Sequence, residues 1–176
     1  MTEERRRLFG LVTALALLLP IAAADAANAA DAMLLDGSGL DPIRIGMPLA
    51  EIPVPLKEPI ERTMYAESGS CFYVSARNGP RFSMMIEDEK LTRIDVLEPG
   101  VKTSQGVSVG DSILKIKKAY GAAVVETPNF YDKDLPDFTV TSTDGRQALR
   151  FGTREGRVTS IIAGRASSVA YVEGCL

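Results

Sequence analysis

Polar and apolar positions alternate in two blocks of this chain, and the blocks run in the same order. In the first, Phe72, Val74 and Ala76 alternate with Tyr73, Ser75 and Arg77, and Asn78-Gly79 follows. In the second, Phe138, Val140 and Ser142 alternate with polar neighbours ahead of Asp144-Gly145. Asn-Gly and Asp-Gly suit two-residue hairpin turns because both central positions need positive φ. Returning strands are expected over 81–86 and 91–96 in one block, and over 147–152 and 157–163 in the other, with turns around 87–90 and 153–156. Such alternation predicts three-stranded antiparallel meanders with one face on a core and one in water.

Ahead of each meander the period changes. Val107-Ser108-Val109 is a short β-branched segment closed by Gly110, after which Ile113, Ile116 and Tyr120 recur at helical spacing on one face. Asp111 is placed to cap that helix, Lys115, Lys117 and Lys118 suit its negative end, and Gly121 suits its stop. The counterpart, Ile43 to Ile45 and Gly46, leads into a poorer segment, Met47 to Ile52. There Pro48 suits a first helical position, and Pro53 and Pro55 are expected to end the helix.

The correspondence extends to residues. FYVSARNG from Phe72 recurs as FTVTSTDG from Phe138, LTRI from Leu91 as VTSI from Val158, and RIG from Arg44 as SVG from Ser108. The expected fold is therefore α+β, made of two tandem repeats, 33–97 and 106–176, each a short helix packed on an antiparallel β-meander. Units of this size are marginal alone, so the two are expected to pack as one unit across a linker from Glu98 to Gln105. A last short strand, Ser168 to Val172, would carry the C-terminus back to the first repeat.

The N-terminus reads as an export signal. Arg5, Arg6 and Arg7 precede an apolar run from Leu8 to Ala24, interrupted near its end by Pro20, and small-residue cleavage frames follow at Ala22/Ala24, Ala24/Ala26 and Ala27/Ala29. An uncleaved anchor is the alternative, for which the run is marginally short. Removal of residues 1–26 would give a soluble secreted or periplasmic protein with no membrane association. The full chain carries 20 basic and 23 acidic side chains, net −3, and the segment removed holds three of each sign. That balance offers no electrostatic footprint for nucleic acid or anionic lipid.

Compartment changes the reading of the cysteines. Cys71 and Cys175 are the two in the chain, and an oxidising location favours a bridge between them. The bridge would tie the last residues to the first meander and close a loop for which chain entropy gives at most ~4.7 kcal/mol. With no histidine, a metal site would have to recruit carboxylates, so neither a metal nor another cofactor is expected.

A glycine-led helix ending in Tyr120-Gly121, followed by a meander carrying Phe138-Thr139-Val140, Leu149-Arg150-Phe151 and Val158-Thr159-Ser160-Ile161, resembles the superfamily of the β-lactamase inhibitor protein and the SmpA/OmlA envelope lipoproteins. The resemblance spans both repeats. It implies helical segments on an antiparallel sheet, contact with another protein, and no catalysis. The lipid-bearing cysteine of the envelope lipoproteins is missing here.

The absence of histidine excludes Ser-His-Asp and Cys-His chemistry. Ser112 and Lys115 share a helix face, but that spacing reads more simply as a helix start and a solvated lysine. Tyr131 to Asp137 holds three carboxylates without the glycine and terminal glutamate of a calcium loop, and reads as a soluble loop. Glu87, Asp88 and Glu89 read as a hairpin tip. The adjacent aromatics Phe130 and Tyr131, with Asp132 and Asp134, lie in a long connection and are the candidate binding residues, since aromatic anchors dominate interfaces. The functional expectation is a non-catalytic module that binds another envelope or secreted protein. The alternative is a carboxylate-based hydrolase with its site in a cleft between the repeats.

Overall fold

The computed structural model describes residues 33–64, 69–78 and 82–175. The expected export signal and the turn residue Gly79 lie outside them. In chain order the elements are β1 (Leu34–Asp36), β2 (Gly39–Leu40), β3 (Ile43–Arg44), a 3-10 turn (Leu49–Glu51), α1 (Pro53–Leu56), β4 (Ile60–Met64), β5 (Cys71–Ala76), β6 (Phe82–Glu87), β7 (Lys90–Val96) and β8 (Lys102–Thr103). Then follow α2 (Ile113–Tyr120), a second 3-10 turn (Gly121–Ala123), β9 (Val124–Pro128), β10 (Pro136–Thr141), β11 (Gln147–Arg154), β12 (Arg157–Arg165) and α3 (Ala166–Val169).

Eight strands make one sheet in the order β4-β5-β6-β7-β12-β11-β10-β9. Each half of that order is an antiparallel meander, and the halves join through antiparallel pairing of β7 with β12. The four short strands make a second sheet, β3-β2-β1-β8. The fold is thus α+β and dominated by antiparallel sheet.

Alternation builds the core. Val74, Met84, Ile94, Ala163, Leu149 and Val140 stand opposite one another across consecutive strands, and Phe138, Phe151, Ile161, Val96 and Phe82 form a second such row. Leu35, Leu40 and Ile43 of the small sheet close over them in a continuous cluster with Val107 and Ile116. Helices cover less of this face than the sequence suggests. α2 buries Ile116, and α1 has no buried residue.

The segments ahead of the two meanders dock in the same way. Gly46 and Gly110 both have φ of 91°. The amide of Gly46 donates to Leu91 O, that of Leu91 to Met47 O, and that of Leu49 to Glu89 O. The amide of Gly110 donates to Val158 O, that of Val158 to Asp111 O, and that of Ile113 to Gly156 O. Positions before the first hairpin thus correspond at an offset of 64, and positions after it at 67. The ladders agree: the row Val74–Met84–Ile94 matches the row Phe138–Phe151–Ile161. Phe138 therefore takes the ladder position of Val74, not the position of Phe72 that the sequence match at 66 implies. The β10–β11 hairpin carries three more residues than β5–β6.

Several expectations are corrected. Each meander has four strands, because β4 and β9 are edge strands whose side chains are largely exposed and so show no alternation. Pro53 does not end a helix but begins α1, where its missing N–H is no loss. Asp111 does not cap α2: Ser112 holds that position without a side-chain bond, while the Asp111 carboxylate accepts from the Ser108 amide at 2.7 Å and from Lys115 Nζ at 2.7 Å. Ser168 to Val172 is no strand; Ser168 and Val169 close the helical turn α3, with Val169 packed against Ala148 and Ile162. The second face of the large sheet is also covered at its centre, where Tyr73, Met85, Arg93 and Asp95 are all buried.

Candidate functional site

The covering of that second face is the chain's own C-terminus. Strand alternation sends Arg93 and Asp95 to the face opposite Ile94, in the middle of the sheet where neither reaches water freely. They satisfy each other: Arg93 Nε donates to Asp95 Oδ1 at 2.6 Å and Nη2 to Oδ2 at 2.8 Å, a two-pronged pair. The third nitrogen reaches the tail, donating to Tyr171 O at 2.8 Å and Ser168 O at 3.2 Å. Tyr73 adds its hydroxyl to Asp95 Oδ2 at 3.3 Å, and Ser168 Oγ donates to Glu87 Oε2 at 2.6 Å.

Electrostatics follow from this geometry. Burial, reinforced by the Asp95 charge, holds the Tyr73 hydroxyl well above the usual tyrosine range. Burial alone would lower Arg93, but its hydrogen bonds and charge pairing with Asp95 outweigh that and raise it. Arg150, on the same face, is lowered by burial and then by its neighbour Arg93. Its guanidinium touches Tyr171 O at 3.5 Å and makes no ion pair among the described residues.

The tail ends in the expected bridge. Cys71 and Cys175 are joined, with Cα atoms 5.4 Å apart and a sequence separation of 104. Gly174 lies against the ring of Tyr73 at φ 69°, where a methyl group would collide with the phenol.

The candidate binding residues sit beside this tail. Asn129 organises their loop: its Oδ1 accepts from the amides of Tyr131 and Asp132, and its Nδ2 donates to Asp137. Asp132 Oδ1 accepts from the Asp134 amide at 3.1 Å, so this carboxylate faces its own backbone. Asp134 lines a shallow groove of about 550 Å³ with Lys133, Leu135 and Pro136. Phe130 and Tyr131 remain 62% and 66% exposed, packed edge to face at 5.2 Å. The Tyr131 hydroxyl donates to Glu173 Oε1 at 2.5 Å, and this bond to a carboxylate raises its ionisation above the ordinary value. The structure thus brings together the bridge and the aromatic loop, which the sequence treats as separate features.

Lys115 bonds Asp111 rather than Ser112, which leaves the serine–lysine pairing unformed. Sequence reasoning missed Tyr73, Arg93, Asp95, Arg150, Tyr171 and Glu173. The signal was present in Arg93-Ile94-Asp95: two charges on one side of a strand flanked by Leu91 and Val96.

No family model matches this chain, and no curated protein does either. Among solved structures it is similar to the uncharacterized protein yfeY from Escherichia coli, at 15% identity over 76% of this chain and 98% of that one, with a TM-score of 0.45. Among the described residues no helix is long and apolar enough to cross a membrane.

Proposed function

We propose that this is an exported tandem-repeat module that binds another secreted or envelope protein through the rim formed by Phe130, Tyr131 and Tyr171. The observation that carries the reading is the loop itself. Two large aromatics are held in water by a loop whose backbone is already ordered through Asn129, and the outer one is pinned to the tail through Glu173. Pre-ordered aromatics lose little freedom on binding, which is what an interface anchor requires. Export is supported by the pattern over residues 1–26 and by a disulfide of the kind that persists in oxidising compartments. Duplication is supported by the paired hydrogen bonds at Gly46 and Gly110 and by the steady offsets of 64 and 67. The resemblance to the β-lactamase inhibitor superfamily rests on its short motifs and accords with a binding role.

The hydrolase alternative has weaker support. The halves meet as a continuous ladder, and the buried carboxylate at their seam, Asp95, is occupied by Arg93 and Tyr73. The next buried carboxylate, Asp137, lies three strands away, a separation of ~14 Å at ordinary strand spacing. Paired catalytic carboxylates sit closer than that, at roughly 5–9.5 Å in glycoside hydrolases and about 3 Å in aspartic proteases.

A photo-cross-linking residue placed at Phe130 tests the binding reading, with one at Leu114, 76% exposed on α2, as control. A single cross-linked species from position 130, lost in Tyr131→Ala, is expected. Tyr131→Ala should weaken that complex by roughly 10- to 100-fold while changing stability by less than about 0.5 kcal/mol. Equal capture from both positions, or none from 130, would overturn it.

A further inference from the structure

The described chain after Val169 contributes no buried residue, yet it covers Tyr73 and Arg93, each 4% exposed. Such a segment has no apolar anchor of its own. It is held by the Arg93 and Arg150 bonds to Tyr171 O, by Tyr131 to Glu173, and by the covalent link to Cys71. The Arg150 and Tyr131 bonds are exposed and contribute little net against water, which leaves the part-buried Arg93 bond and the bridge to hold the segment. α3 differs, because Val169 is 2% exposed against Ala148 and Ile162, and Ser168 bonds Glu87.

We infer that residues 170–175 form a redox-controlled strap, closed by the Cys71–Cys175 bridge and hinged at Ala170, whose opening takes apart the aromatic rim. A dithiol supplies the two electrons. Its thiolate attacks Sγ of Cys175 and displaces the Cys71 thiolate, which takes a proton. The second thiol then closes the dithiol's own disulfide and frees the Cys175 thiol. Cys71 and Cys175 are both partly exposed residues. With the link gone, Glu173 leaves Tyr131 and Tyr171 leaves the arginines. Tyr73, Arg93 and Asp95 then meet water, and the rim loses one of its sides. Regulation of binding rests on the reading proposed above; the opening itself does not, and is measured without a partner.

The experiment is amide hydrogen exchange on the full protein with and without dithiothreitol, together with cleavage by a glutamate-specific protease. On reduction, amides of residues 171–175 should exchange at least about tenfold faster, while α3 and strands β5 to β7 keep their protection. Cleavage after Glu173 should appear in the reduced form alone. In the oxidised Tyr131→Phe variant the tail should stay protected, because the bridge and not the phenol closes the strap. Three results would overturn the inference: a tail equally protected after reduction, loss of protection throughout the sheet, or a tail freed by Tyr131→Phe with the bridge intact. If the strap opens as expected but Tyr131→Ala leaves cross-linking from position 130 unchanged, the binding reading fails alone.

Discussion

At the scale of single residues, Arg93 is the most consequential side chain on the outer face of the large sheet. Its guanidinium neutralises Asp95 and holds two tail carbonyls at once. Arg93→Met would leave a carboxylate 8% exposed without its hydrogen-bonded countercharge, and should cost about 3–5 kcal/mol in urea unfolding. Converting both partners, Arg93→Met with Asp95→Leu, should recover most of that loss, since an apolar pair of similar volume is often as stable as a buried ion pair. A double variant as unstable as the single one would show that the tail contacts dominate. Alternation along Leu91 to Val96 places Arg93 and Asp95 correctly on one face in the sequence. What it could not tell was that this face is covered, because the covering chain arrives from 75 residues away.

At the scale of elements, the tips between β6 and β7 and between β11 and β12 were legible, but the two-residue Asp-Gly turn and the edge strands were not. Gly145 has positive φ and Asp144 does not, and the connection from Thr141 to Gln147 is longer than two residues. The hairpin tips read from the sequence fall at Asp88-Glu89 and Glu155-Gly156, all four residues at positive φ. Three of those four are not glycine, and Glu89, at φ 58°, takes the place that Gly156 fills in the second meander. An L-residue in that region costs roughly 1–2 kcal/mol relative to glycine. Glu89→Gly should therefore raise the urea midpoint by an amount equivalent to about 1 kcal/mol, net of glycine's greater freedom in the unfolded chain. An unchanged or lower midpoint would mean the turn is not strained. β4 and β9 escaped notice because an outermost strand need not bury alternate side chains, and alternation was the signal used. α3 escaped for a different reason: four residues make a helical turn only because Val169 finds a site between Ala148 and Ile162.

At the scale of the whole molecule, two successive antiparallel meanders were legible, but the ladder positions that correspond between them were not. Asn78-Gly79 and Asp144-Gly145 drew the sequence match to an offset of 66, whereas the ladders keep 64 before the hairpin and 67 after it. The extra three residues lengthen the second hairpin's own strands, whose ladder runs on to Thr141 and Ala148 while that of the first ends at Val74 and Met84. The seam between the halves carries a further consequence. Ile161 pairs with Val96 and Ala163 with Ile94, so a shift of 67 exchanges these two pairs and maps Asp95 opposite Ile162 onto itself. This is the signature of an isologous contact: a pseudo-dyad passes through Asp95 and Ile162. Released from its fellow, a half can close its open edge with a second copy of itself. For residues 106–176 with Cys175→Ser, the dyad would set Ile162 against Ile162 of the other copy, a favourable cross-strand pair, and size-exclusion chromatography should find a homodimer. For residues 33–97 with Cys71→Ser, it would set Asp95 against Asp95, two like charges, and that half should fail to dimerise. The aspartate on the axis makes the covalent pair of halves asymmetric in its demands: one half could live as a symmetric dimer, and the other needs its sister.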